Sequence, residues 1–228
     1  MSTTEMVSLP RIGDKAPDFK SETTQGVITF SEWQGKSWVV LFSHPADFTP
    51  VCSTELIEFA KRQAEFDALN TKLIGLSVDS IHSHLAWREN LKEKLKAEIK
   101  YPMIADIDMK VSNLYGMLHP GASATATVRA VFVIDPKSIV RALIYYPMNV
   151  GRNVEEIKRL VTALQTADGN SVACPVNWKP GEKVIVPPPK TEAEVNERNS
   201  NKTYERVDFY LNKRDLAAPK PELAGAKK

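Results

Sequence analysis

Cysteine is scarce in this 228-residue chain: there are two, Cys52 and Cys174, far apart along the sequence. Two such residues cannot staple a scaffold, so any part they play is chemical or incidental. Histidine is nearly as sparse, with four residues at positions 44, 82, 84 and 119. None stands beside a close cysteine pair, and His82 and His84, two apart on an expected helix, point different ways. That scatter implies no metal site and no cofactor. A dominant charge sign is missing too: the net charge is +2, with both signs interspersed. Nucleic acid and anionic membrane are therefore poor candidates for the main partner. The longest apolar run, Trp38 to Phe42, falls far short of a membrane span. Met1 to Asp14 hold no apolar core of the kind an export signal needs, so the expected location is cytoplasmic, with both thiols reduced.

What is present is enough apolar material, 43% of residues, for a full core. Trp38-Val-Val-Leu-Phe42 reads as a buried strand, contiguous and rich in β-branched and aromatic residues. A helix is expected to follow it. Thr49 is placed to cap that helix, Pro50 suits its first position, and Leu56, Phe59, Ala60, Gln63 and Phe66 trace one face. Leu73 to Val78 reads as a second strand and Ile81 to about Leu95 as a helix, built on Trp87 with a charged outer face. Met103 to Ala105 predicts a short strand, and Met109 to Tyr115 a short helix stopped by Gly116. Ala130 to Ile134 and Ile139 to Tyr145 predict a hairpin turning at Asp135-Pro136. Asn153 is placed to cap a last long helix striped with Val154, Ile157, Leu160, Val161 and Leu164. The pattern predicts an α/β protein, a mixed central sheet flanked by helices as in thioredoxin-like folds, with a C-terminal extension. The division is expected at residues 1–168 and 169–228. Within the extension, Thr191 to Arg198 predicts a short helix and Arg206 to Leu211 one strand. A disordered tail is expected from about 217.

The informative segment is His44-Pro-Ala-Asp-Phe-Thr-Pro-Val-Cys52. It places Cys52 in the first turn of a helix leaving a buried strand. There, unpaired backbone N–H groups and the positive end of the macrodipole favour negative charge on sulfur. The Thr49 hydroxyl lies one turn earlier, within reach of the sulfur or of an oxygen bound beside it. Pro45 and Pro50 stiffen the loop. A cation is still needed to hold a reactive sulfur and polarise what it attacks.

Pro45, Thr49 and Cys52, in this strand–loop–helix setting, resemble the active-site motif of the peroxiredoxins. The likeness extends through Phe42-Ser-His-Pro45, Phe48-Thr-Pro-Val-Cys52, Asp79-Ser80 with His84-Leu-Ala-Trp87, and Tyr146-Pro147 with Gly151-Arg152-Asn153. These segments are most similar to the one-cysteine branch. The resemblance implies a thiol-dependent peroxidase that reduces hydrogen peroxide and alkyl hydroperoxides through a sulfenic acid. Cys52 would be its peroxidatic nucleophile, and Arg129 its active-site arginine. It also implies a thioredoxin-like or small-thiol reductant and a homodimer or higher ring. Glu55, three residues after Cys52, corresponds to a glutamate that orients an arginine, or is a solvated surface residue. Arg152 either joins that network or simply precedes a helix cap. His44 either contacts the site or packs.

Cys174, in Val172-Ala-Cys-Pro-Val-Asn-Trp178, resembles the resolving context of two-cysteine members, although the body of the chain is one-cysteine in type. Either it condenses with the sulfenic acid of a partner subunit, or it is a spectator and an external thiol does so. The Gly-Gly-Leu-Gly loop of overoxidation-sensitive two-cysteine members is absent. Two other functional classes remain open on the same residues: a redox sensor passing oxidation from Cys52 to another protein, and an oligomeric holdase chaperone.

Overall fold

The computed structural model describes residues 9–216; the tail expected from about 217 lies outside them. A hairpin comes first, β1 (Lys20–Thr23) and β2 (Gly26–Thr29), followed by the short α1 (Phe30–Gln34). Then come β3 (Trp38–Ser43), α2 (Pro50–Asp67), β4 (Thr71–Ser77), α3 (Ile81–Leu95), β5 (Met103–Ala105), α4 (Lys110–Leu114), β6 (Arg129–Ile134) and β7 (Val140–Tyr146). These strands form a seven-stranded sheet in the order β2-β1-β5-β4-β3-β6-β7. The centre, β3-β4-β5, is parallel; β6 lies antiparallel to β3 and pairs with β7 as a hairpin. The arrangement is a mixed sheet flanked by helices, in the thioredoxin fold.

The strand sequences explain why the sheet is covered on both faces. Along β3, Val39 and Leu41 join one cluster with Ile74, Leu76, Ala130, Phe132 and Ile134. Alternation sends Val40 and Phe42 to the opposite face, where Phe42 stacks on Phe59 of α2 at 4.2 Å and meets Tyr101 edge-on. A strand buried on both sides reads as a continuous apolar run, as this one does. The edge hairpin β1–β2 carried no such signal. β1 is polar, β2 offers only Val27 and Ile28, and the turn, Thr24-Gln25 before a Gly26 at φ +97°, lacks the usual Asn-Gly or Asp-Gly pair.

Contacts within the chain divide it between Glu155 and Glu156, earlier than the sequence suggests. The second unit takes most of α5 (Val154–Asn170) and adds β8 (Val184–Val186), α6 (Glu192–Ser200), β9 (Glu205–Asp208) and β10 (Leu211–Arg214). It has a small core of its own: Ala163 of α5 packs with Val172, Trp178 and Val184. The single strand expected over Arg206 to Leu211 is two antiparallel strands, with Asp208 opposite Leu211. Its alternating pattern ran through the reversal at Phe209-Tyr210, which Asn212 holds by donating from Nδ2 to the carbonyls of Asp208 and Phe209. Among the described residues no helix is long and apolar enough to cross a membrane.

Candidate active site

The topology brings three chain segments to one end of the sheet. β3 ends at Ser43, and the loop after it leads into α2, whose third residue is Cys52. Because β6 runs antiparallel to β3, with Phe42 opposite Val131, its first residue, Arg129, lies at that same end. β7 turns back along β6, with Arg129 opposite Tyr146, and so returns the chain to the same place as Arg152.

Cys52 is buried, and Arg129 Nη1 donates to its Sγ at 3.3 Å. The same nitrogen donates to Glu55 Oε2 at 2.6 Å, while Nε and Nη2 of Arg129 are both held by the Met148 carbonyl. Arg152 grips Glu55 from the other side, through Nε to Oε1 at 2.9 Å and Nη2 to Oε2 at 2.7 Å. Its remaining Nη1 donates to the carbonyls of Ser43 and Ala130, and the guanidinium lies over Phe42 and Phe59, with centroids 5.1 and 5.6 Å away. Burial alone would raise the Glu55 carboxyl, but the charge and hydrogen bonds of Arg152, with Arg129 adding to them, hold it below its ordinary range. A buried guanidinium is tolerated only when its donors are met. Here Arg129 and Arg152 meet carbonyls, a shared carboxylate, a sulfur and two aromatic faces. Sequence reasoning left Arg152 open between network and helix cap. The structure places it at the centre of the network, and places Glu55 between the two arginines.

Thr49 takes the N-cap position of α2 with Pro50 behind it, but its hydroxyl donates to the Ala46 carbonyl at 2.8 Å rather than capping the helix. Pro45 and Ala46 open the tight loop that this bond closes. Phe48 in that loop has φ +55°, a left-handed backbone that an aromatic residue rarely adopts, placing local strain four residues before the thiol.

The scatter of histidines in sequence does not survive folding for two of the four. His44 and His84 are both fully buried and meet on Asp47. His44 Nε2 contacts Asp47 Oδ1 at 2.9 Å, and His84 Nδ1 contacts Oδ2 at 2.7 Å. Burial would raise the Asp47 carboxyl, yet hydrogen bonds from the two rings hold it well below its usual value; burial pushes His44 down from its ordinary 6.5. The three groups have the residue types of a metal site. The nitrogen–oxygen separations are those of direct hydrogen bonds. The sequence signal was available: His84, Trp87 and Leu91 fall on one helical stripe, and a histidine on a buried stripe needs a partner.

Cys174 lies in the second unit, half-buried against its small core, with Sγ donating to the Ala163 carbonyl at 3.5 Å. Burial pushes its thiol up, against a weaker opposing pull from Arg159.

Fold and site together define a thioredoxin-fold protein that holds a buried cysteine sulfur against an arginine. Residues 12–143 match the AhpC/TSA family, and residues 163–202 match the C-terminal domain of 1-Cys peroxiredoxin. A peroxiredoxin of Aquifex aeolicus is 53% identical over 222 residues, 93% of this chain and all of that protein. One from Methanosarcina mazei is 53% identical over 197 residues, 83% of this chain and 90% of that protein. The structure of a yeast mitochondrial 1-Cys peroxiredoxin, whose thiol is resolved via glutathione/thioredoxin systems, shares 41% identity at a TM-score of 0.81, covering 91% of this chain and all of that one. Peroxiredoxin 6 of Arenicola marina, solved as a cysteine-to-serine mutant, aligns at a TM-score of 0.82 and 33% identity, covering 92% of this chain and 99% of that one. The chain belongs to the AhpC/TSA family of peroxiredoxins and is a thiol-dependent peroxidase.

Proposed function

We propose that Cys52 is the peroxidatic nucleophile, acting on hydrogen peroxide and alkyl hydroperoxides in antioxidant defence. The observation that carries this reading is the 3.3 Å contact between Arg129 Nη1 and Cys52 Sγ in a buried site. The sulfur attacks the terminal hydroperoxide oxygen, the S–O bond forms and the O–O bond breaks. The departing alkoxide or hydroxide takes up a proton, leaving an alcohol or water and Cys52 sulfenic acid. Arg129 stabilises charge on sulfur and on the breaking peroxide, where a fixed donor in a dry site acts without reorganisation. Thr49 and Pro45 shape the loop beside the attacked oxygen. Glu55 and Arg152 orient Arg129, and His44 supports the loop from the end of β3.

An external thiol then attacks the sulfenic sulfur, water leaves, and a second thiol releases Cys52 from the mixed disulfide. The raised, half-buried Cys174 thiol supports a spectator role over a resolving one, since reactive cysteines carry lowered pKa values. The yeast relative, resolved via glutathione/thioredoxin systems, supports a thioredoxin-like or small-thiol reductant. Val176, Val207, Phe209 and Tyr210 expose apolar surface on the second unit, which supports assembly as a homodimer or larger ring. A cytoplasmic location fits a cycle that depends on reduced thiols. The test is peroxide consumption with a small thiol: Cys52→Ser abolishes it, and retained consumption would end the reading.

A further inference from the structure

Ser43 is fully buried, and the chemistry proposed for Cys52 gives its side chain no part. It is the last residue of β3. The backbone ladder between β3 and β6 runs from Val39 opposite Ile134 to Phe42 opposite Val131 and stops there, one pair short of Ser43. Past that point the Ser43 hydroxyl takes over the pairing. It donates to the Val128 carbonyl at 2.6 Å and accepts from the Ala130 N–H at 3.1 Å. The same N–H also reaches the Val128 carbonyl at 3.1 Å, a single-residue turn that the hydroxyl closes. These two groups belong to the peptide units on either side of Arg129. Peptide units are planar, so the only soft rotations between the two are φ and ψ of Arg129 itself. One hydroxyl bonded to both units holds those torsions, and with them the direction in which the arginine side chain leaves the strand.

We infer that Ser43 is a positioning residue, whose hydroxyl clamps the backbone across Arg129 and so aims the guanidinium at Cys52 Sγ. The aim is demanding because the side chain is long. A tilt of about 10° at the Cα, carried along roughly 6 Å of side chain, displaces the guanidinium by about 1 Å. A misplacement of that size costs up to about a hundredfold in rate. At the far end, Arg129 must meet Sγ at 3.3 Å, Glu55 Oε2 at 2.6 Å and the Met148 carbonyl together. Ser43 serves the second arginine through a different group: its backbone carbonyl accepts from Arg152 Nη1 at 2.8 Å, beside the Ala130 carbonyl at 3.1 Å. Removing the hydroxyl alone leaves the Ser43 carbonyl to Arg152, so the clamp on Arg129 is tested by itself.

This inference rests on Cys52 as the nucleophile, and the experiment separates the two. The rate of Cys52 oxidation by hydrogen peroxide is measured by stopped flow for wild type, Ser43→Ala, Arg129→Ala and the double variant, with Cys52→Ser in parallel. Ser43→Ala is expected to slow oxidation roughly ten- to a hundredfold. In the Arg129→Ala background the same change is expected to cost less than about twofold, because a residue acting through Arg129 has nothing left to aim. A merely structural serine would slow both backgrounds alike. Ser43→Thr and Ser43→Val are alike in bulk and differ in the hydroxyl, so their ratio decides even if Ser43→Ala does not fold. Ser43→Thr is expected to be at least about tenfold faster than Ser43→Val. Ser43→Ala within about twofold of wild type, equal losses in both backgrounds, or equal rates for Ser43→Thr and Ser43→Val would each overturn the inference and leave Cys52 in place. Peroxide consumption retained in Cys52→Ser would instead remove the nucleophile assignment itself.

Discussion

Glu55 and Arg152 meet through three hydrogen bonds: the Arg152 backbone N–H and Nε both donate to Oε1, and Nη2 donates to Oε2. One carboxylate thus fixes the loop after β7, by its backbone as well as its side chain, against the first turns of α2. Replacing it leaves two buried guanidinium groups without their counter-charge. Glu55→Gln is expected to lower stability by about 3–5 kcal/mol, the usual cost of breaking one side of a buried pair. Urea unfolding monitored by tryptophan fluorescence measures this, and a loss under about 1 kcal/mol would mean the pair behaves as if it were exposed.

Arg129 should show a graded response. Its fork reaches Cys52, Glu55 and the Met148 carbonyl at once, and a lysine ammonium cannot span all three. Arg129→Ala is expected to slow Cys52 oxidation by on the order of 10²–10³, with Arg129→Lys recovering only part of it. Stopped-flow measurement of oxidation by hydrogen peroxide gives both rates. Full recovery by lysine would show that charge alone suffices.

Stability should fall as acid is added, beginning near neutrality. The folded chain holds His44 below its ordinary 6.5, so the contribution of neutral His44 is complete above that pH and is lost as pH falls towards the folded value. Asp47 and Glu55 are also lowered, from 3.8 and 4.5, so their contributions are complete above those values and are lost further into acid. The melting temperature is expected to hold steady from about pH 8 to 7 and to decline from about 6.5 downward. A melting temperature that climbs on acidification would contradict the burial assigned to these three groups.

Cys174→Ser should leave catalysis nearly intact. Peroxide turnover with a monothiol reductant is expected to stay within about twofold of wild type, since a half-buried thiol with a raised pKa is a poor nucleophile. A non-reducing gel after one equivalent of peroxide should show monomer for both proteins. A disulfide-linked dimer in the wild type that is lost in the mutant would establish the two-cysteine cycle.

The centre of the fold and the placing of Cys52 at a helix start were legible for a common reason. β3 is buried on both faces and so is continuously apolar, and the helix after it announces its start with Thr49 and Pro50. Arg129 was legible through the family resemblance, with which a cation at the mouth of a buried strand agrees. Arg152 was harder: it follows β7 in the sequence, and only the antiparallel return of β7 along β6 brings it to Glu55. The meeting of His44 with His84 depends on β3 and α3 arriving at one point, which no local pattern encodes. The β1–β2 hairpin escaped because β1 is polar, β2 has only two apolar residues and the turn is atypical, so pairing to β5 defines it. In the second unit, alternation across Phe209-Tyr210 concealed a reversal held by the side chain of Asn212.

The sharing of one glutamate by two arginines sets a charge balance around the thiol. Arg129 and Arg152 bring two positive charges and Glu55 one negative, so the enclosed group is electroneutral when Cys52 carries a thiolate. Conversion of that thiolate to a neutral sulfenic acid leaves one positive charge uncompensated in a water-poor space. A Cys52 thiolate would therefore complete a counter-ion cage that its oxidation discharges. On this account the oxidised enzyme should melt at a lower temperature than the reduced one, and re-reduction restores the missing anion.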